Sequence, residues 1–410
     1  MNFFSIPTPC YVLESSLFKK NLEILDSVQR NSGAKILLAL KGFAFWRSFD
    51  LAQNYLSGTT ASGIYEAKLG FEEFGGRESN KDICVFSPAY KEAEIDALLP
   101  IATHIIFNSF NQWQKYKNKI DQKNMQLKSL GLHPIEVGLR INPLYSEVTP
   151  LIYNPCASGS RLGITPDEFQ KGVQHFGLDG IDGLHFHTHC EQNADALKRT
   201  LDHVIYHFDS AIKEVKWVNF GGGHHITRKD YHLELLNSII LDFRSRYDGI
   251  EVFLEPGEAV GWQCGFLIAE VIDVVKNGIE IAILDVSATA HMPDCLEMPY
   301  RPNVKKISKD QDGGIRIEPS LGEVKKTDKE YLYRLGGPSC LAGDIIGDYV
   351  FETPLCIGDR ILFEDMIHYT IVKNTTFNGI PLPSLGVISL EGDFSVVKSF
   401  DYSDYKNRNG

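Results

Sequence analysis

Ile36-Leu37-Leu38-Ala39-Leu40-Lys41-Gly42 is an apolar run that stops abruptly on a cation and a glycine. Runs of this build recur: Ile36 to Lys41, Gly58 to Gly63, Asp82 to Ser87, His104 to Ser109, Glu136 to Asn142, Gly183 to His189, Trp217 to Gly223 and Glu251 to Gly257. Each is short enough for a buried strand and ends in polar or glycine residues. Most of the stretches between them space their apolar residues as a helix does; Gly63 to Phe74 and Leu197 to Val215 are two. Strands alternating with helices predict a parallel sheet, and eight such units over residues 36–257 predict an α/β fold, the (β/α)8 or TIM barrel. Such a barrel works at the C-terminal ends of its strands. Lys41, His187, His189, Gly221 to Gly223 and Glu255 fall at those ends, so the fold brings together residues far apart in sequence.

Beyond about residue 263 the alternation stops. Phe266 to Val275, Glu280 to Val286, Arg360 to Phe363 and His368 to Val372 read as strands, and residues 303–330 as a hairpin or exposed loops. Strands without intervening helices predict a second, mainly antiparallel β domain. The expected division is 15–262 for the barrel, with 1–14 and 263–410 forming the β domain.

The 410 residues, 43% hydrophobic and 23% charged, are ordinary for a globular protein with room for two domains. A net charge of −12 argues against nucleic-acid binding and suits a cationic small molecule. No apolar run approaches eighteen residues, so no membrane span is expected. The segment Met1 to Pro9 lacks the basic start and apolar core of a signal peptide. Eight scattered cysteines without a Cys-x-x-Cys pair are expected as free thiols, a cytoplasmic pattern.

Several residues carry chemistry. Burial lowers the pKa of an amine, and a neutral Lys41 is a nucleophile able to form a Schiff base with an aldehyde. Gly221-Gly222-Gly223 lets backbone N–H groups approach an anion. Glu255, in Glu255-Pro256-Gly257-Glu258, can hold a pyridinium nitrogen protonated. His185, His187 and His189 alternate. They read as a metal site, as one imidazole stacked on a flat cofactor with the others bonding backbone or substrate, or as structural histidines. Cys340, in the glycine-rich turn Gly336 to Asp344, is a thiol suited to donate a proton, its reference pKa being about 8.5.

Lys41, His187, the triple glycine and Glu255 form one set. Gly337-Pro338-Ser339-Cys340, Phe363-Glu364-Asp365-Met366 leading to Tyr369, and Thr376-Phe377-Asn378-Gly379 extend it. Together they resemble the alanine-racemase-like, fold-type III pyridoxal-phosphate decarboxylases, the group of ornithine and diaminopimelate decarboxylases. Within that group Asp285 to Pro302, Ala39 to Phe43 and His185 to Gln192 are similar to a branch that decarboxylates carboxylated triamines, carboxynorspermidine and carboxyspermidine, in polyamine biosynthesis.

The resemblance implies pyridoxal 5'-phosphate bonded to Lys41, stacked on His187 and paired through its ring nitrogen with Glu255. It places Arg140 near the ring and assigns the phosphate to Gly221, Gly222, Gly223 and Tyr369. Cys340 would protonate the α-carbon, and Cys340 and Asp344 would come from the partner subunit of a homodimer. Two departures stand out. Glu258 replaces the arginine that relatives carry after Glu-Pro-Gly, and Leu341 replaces the acid that follows the cysteine in ornithine decarboxylases. Both suit a longer polyamine, whose expected contacts are Glu258, His291, Asp294, Glu297 and Asp344. The alternatives are a diaminopimelate- or ornithine-type decarboxylase, an amino-acid racemase, a metal-dependent hydrolase built on the three histidines, and a non-catalytic pyridoxal-phosphate carrier.

Overall fold

The computed structural model describes residues 2–149, 151–310 and 312–410. Two compact units divide the chain: Lys19–Val260, and Met1–Phe18 with Gly261–Gly410.

The first strand, β1 (Cys10–Glu14), belongs to the second of these units. Eight strands then build the other: β2 (Lys35–Ala39), β3 (Gly58–Ala61), β4 (Asp82–Phe86), β5 (His104–Phe107), β6 (Glu136–Arg140), β7 (Gly183–His185), β8 (Trp217–Asn219) and β9 (Glu251–Leu254). All pair in parallel, and β9 returns to β2 through Lys35↔Phe253 and Ile36↔Leu254, closing the expected (β/α)8 barrel.

The N-terminal end of the barrel is filled. Trp217 packs there with Leu37, Cys84, Ile106 and Phe253. The indole lies against Gly138 and Gly183, where an added Cβ would come within 2.4 and 2.0 Å of ring atoms. His104 meets Trp217 and Phe253 edge-on, at centroid distances of 5.4 and 5.2 Å. Lys35 bridges Asp82 (3.4 Å) and Glu251 (2.8 Å) beside them.

Each apolar run overshoots its strand, so that Lys41, His187, Gly221 to Gly223 and Glu255 stand just past strand ends. The overshoot is large at β7, expected to reach His189 and ending at His185. Arg140 Nη2 donates to the His187 carbonyl (3.2 Å), occupying an acceptor that a longer ladder would use. The helix expected over 197–215 runs Ala194–Ile212. Asn193 caps it, its side chain accepting from the Ala194 N–H, while Leu197, Leu201, Val204, Phe208 and Ile212 form its buried stripe.

The other unit is mainly antiparallel, as expected. Its long strand β10 (Gly265–Asn277) pairs antiparallel with β1, with β11 (Ile279–Leu284) and with β16 (Arg360–Glu364). β12 (Val304–Lys309) and β13 (Ile315–Pro319) form the hairpin read in residues 303–330. β14 (Tyr331–Gly336), β15 (Ile345–Phe351), β17 (Ser384–Ile388) and β18 (Phe394–Lys398) complete it, with parallel strand pairs, among the described residues, only at β1–β17 and β11–β14. One expected strand is absent: residues 368–372 turn into the helical segment Thr370–Lys373. Positive φ at Asp365 (61°) and Tyr369 (42°) breaks the extended path, and His368 Nε2 meets Asp365 Oδ1 at 3.0 Å across the turn.

Candidate active site

At the C-terminal end of the barrel a pocket is lined by Ala39, Lys41, Thr60, Ala61, Ser62, Phe86, Arg140, His185, His187 and Glu255. Glu255 is its anchor. Asn219 Nδ2 donates to Glu255 Oε1 (2.8 Å), and His185 Nε2 lies 3.4 Å from Oε2. Burial alone would raise the pKa of this carboxyl; His185, Asn219 and Thr60 reverse that and hold it at about 2. The group is therefore an anion in a buried place.

Lys41 is pushed the other way. Burial and the Arg140 guanidinium favour its neutral amine, against the opposing pull of Glu255 and Glu66. Arg140 is itself lowered to about 10 by burial, and it stacks 4.5 Å from the Phe86 ring centroid. Glu66 accepts from the Ser62 N–H (2.6 Å), and burial raises its pKa. His187 Nδ1 accepts from the Gly222 N–H (2.8 Å); burial, Lys41 and Arg140 hold the imidazole neutral, so its proton sits on Nε2.

The triple glycine works differently from expectation. Gly221 N–H donates to Asn219 Oδ1 (2.8 Å) and Gly222 N–H to His187, so two of its three amides are engaged within the protein. Close approach explains the residue type: a Cβ on Gly221 would come 2.4 Å from the Phe186 carbonyl, and one on Gly222 2.3 Å from that of Glu255.

The three histidines do not converge. His185 faces Glu255, His187 accepts from Gly222, and His189 Nε2 meets Thr200 Oγ1 at 3.0 Å. Among the described residues, the group close enough to share an ion is Glu191, His225 and Glu258. The metal-hydrolase reading of the triplet therefore fails. Glu258 Oε1 lies 3.9 Å from His225 Nε2.

The remaining predicted residues lie in the β unit. Asp344 is buried and accepts three hydrogen bonds, from Ser287 Oγ (2.8 Å), Thr289 N–H (3.2 Å) and Ser339 N–H (3.3 Å). His291 is fully buried, and desolvation brings it down to about 4. Asp294 and Glu297 both hold the Lys373 ammonium, the latter at 2.6 Å. Cys340 is an exposed free thiol whose N–H donates to Asn378 Oδ1 (2.8 Å). Tyr369 is half-buried beside His368. Sequence reasoning missed Thr60, Phe86, Asn219 and Lys373. Asn219 carried one usable signal, being a polar residue at the end of a strand two positions before the glycines.

The family model described as pyridoxal-dependent decarboxylase, C-terminal sheet domain, matches residues 10–367. The chain belongs to this family. It is 44% identical over 409 residues to the carboxynorspermidine/carboxyspermidine decarboxylase of Campylobacter jejuni, covering 100% of both chains. It is 42% identical to the carboxyaminopropylagmatine decarboxylase of Synechocystis sp., covering 99% of this chain and 96% of the relative. The crystal structure of carboxynorspermidine decarboxylase complexed with norspermidine, from C. jejuni, superposes with a TM-score of 0.84 at 43% identity, over 98% of this chain and 100% of that one.

The barrel mouth of this decarboxylase fits the pyridoxal group that its family depends on. It offers an amine whose proton is loosened, a carboxylate that stays charged for a ring nitrogen, and an imidazole held from one side by a backbone amide. Among the described residues no helix is long and apolar enough to cross a membrane.

Proposed function

We propose that the chain decarboxylates a carboxylated linear triamine, carboxynorspermidine or carboxyspermidine, with pyridoxal 5'-phosphate held at the barrel mouth. The observation that carries this reading is the Lys41 amine and the Glu255 carboxylate sharing one pocket. When bound, the cofactor supplies an aldehyde for amines and a ring that accepts the electron pair left by departing carbon dioxide. Lys41, its amine pushed towards the neutral form by burial and Arg140, is the residue that would hold that aldehyde. Glu255 keeps the ring nitrogen protonated. His187 presents its ring face, and Arg140 holds the backbone beneath it. Tyr369 would attend the phosphate, as would the Gly221 to Gly223 loop, whose Gly223 amide is not among the two engaged within the protein.

Cys340, an exposed thiol on an anchored turn, returns a proton to the α-carbon. With Asp344 it serves the site of a second copy in a homodimer. Glu258, with Asp294, Glu297 and His291, attends the substrate's ammonium groups, each charge-assisted bond being worth roughly 1.5–3 kcal/mol. Asp344 acts there as the brace of the 287–289 and 339 backbone, and Lys373 marks where an ammonium suits Asp294 and Glu297. Eight free thiols support a cytoplasmic setting.

A second reading, decarboxylation of carboxyaminopropylagmatine, is favoured by the nearly equal identity to the Synechocystis relative. The test is carbon dioxide release from purified protein given carboxynorspermidine, carboxyspermidine, carboxyaminopropylagmatine, meso-diaminopimelate and ornithine in turn. The triamines are expected to lead in kcat/KM. The two should differ only weakly from each other, since one methylene is worth about 1–3 kcal/mol. A lead for the guanidinium substrate moves the assignment to the second reading, and a lead for either amino acid overturns both.

A further inference from the structure

Beyond helping to keep Glu255 charged, His185 has no part in the function proposed above. It ends β7 in register with Arg140 on β6 and Asn219 on β8. It is 1% exposed, and apart from one long approach to Glu255 neither ring nitrogen has a polar partner among the described residues. Its Nε2 lies 3.4 Å from Glu255 Oε2, while Asn219 occupies Oε1 of the same carboxylate. Phe86 packs against its ring at 5.5 Å. A buried imidazole without a bond is costly to keep, so a use for it is expected.

Resting on the pyridoxal reading of the site, we propose that His185 is a positioning residue for Glu255, donating Nε2–H from a neutral ring to Oε2. With Asn219 on the other oxygen, the carboxylate is fixed in rotation and kept anionic. Each oxygen retains a lone pair for the cofactor's ring N–H. The charged and titratable groups around His185 are Lys41, Arg140, His187 and Glu255, with Cys84 beside Glu255. Burial above all, with Arg140 and Lys41 beside it, keeps the imidazole uncharged against the pull of Glu255, so donation rather than charge is its contribution.

The experiment loads wild type, His185→Leu, His185→Gln and His185→Asn with nitrogen-15 pyridoxal phosphate. It records the ring-nitrogen shift against pH and the cofactor Kd. Leucine is expected to raise Kd about tenfold, about 1.4 kcal/mol, and to move ring deprotonation to lower pH. Glutamine, a neutral donor of similar reach, restores most of both. Asparagine, too short to reach Oε2, behaves as leucine does and stands in for it should leucine fail to fold. A leucine or asparagine variant with wild-type Kd and shift overturns the proposal, and so does a glutamine variant no better than leucine. Wild type that takes up no labelled cofactor overturns the pyridoxal reading instead.

Discussion

At the N-terminal end of the barrel His104 lies between Asp82 (3.8 Å) and Glu136 (3.7 Å), with Thr103 Oγ1 at 2.8 Å from Nδ1. At the C-terminal end His185 has only the 3.4 Å approach of Nε2 to Glu255 Oε2, and its Nδ1 has no partner among the described residues. Both imidazoles are buried, both touch aromatic rings and both face acids. The difference is what is left over. The first end has closed its ionic groups against each other around His104 and Lys35, with the Trp217 indole N–H as its one orphan among these residues. The second keeps a loosened amine, a buried anion and an unpartnered His185 Nδ1 in one pocket. Surplus capacity of that kind, rather than burial of charge as such, separates chemistry from architecture.

Replacing one residue at each end would break or sharpen this contrast. Lys41→Ala should lower turnover at least about ten-thousandfold, roughly 5 kcal/mol of barrier, and abolish the visible absorbance of the bound cofactor. Carbon dioxide release and a spectrum decide it, and a variant keeping both would erase the distinction. Trp217→Ala opens a void at the closed end and should cost about 3–5 kcal/mol of stability in denaturant melts, with KM little changed. Glu255→Gln should lower turnover about a hundredfold, about 2.7 kcal/mol, in a protein that still folds.

The same substitution carries a pH signature. Glu255 titrates lower when folded than its ordinary value of 4.5, so the stability it lends is present above that value. It is lost as pH falls from about 4.5 through about 2, and Glu255→Gln should flatten this part of an acid-denaturation curve. Lys35→Met, at a half-exposed ion pair of the closed end, should change stability by less than about 1 kcal/mol and leave turnover alone.

Much of the barrel mouth was legible because a strand end has a grammar: an apolar run, then a polar residue or glycine. Lys41, Arg140, His187 and Glu255 all obey it and meet in one pocket. Thr60 and Asn219 escaped notice because neither titrates, and inside an apolar run each passes for an ordinary strand residue; their value appears only against the Glu255 carboxylate. Asp344 shows what a sequence leaves out. Its acid suggested a substrate contact, yet Ser287 and Thr289, distant in sequence, take up its oxygens. The segment 368–372 has the composition of a strand, and only the left-handed backbone at Asp365 and Tyr369 denies it that shape.

The indole resting on two bare backbones at the closed end has a consequence for redesign. Positions 138, 183 and 217 form a single large-for-small exchange: a side chain placed at either glycine would occupy space the tryptophan already fills. Shrinking residue 217 alone leaves a hole, and enlarging 138 or 183 alone forces a collision. Only a concerted triple swap would preserve the volume, so this floor should yield to recombined libraries and resist single-site scans.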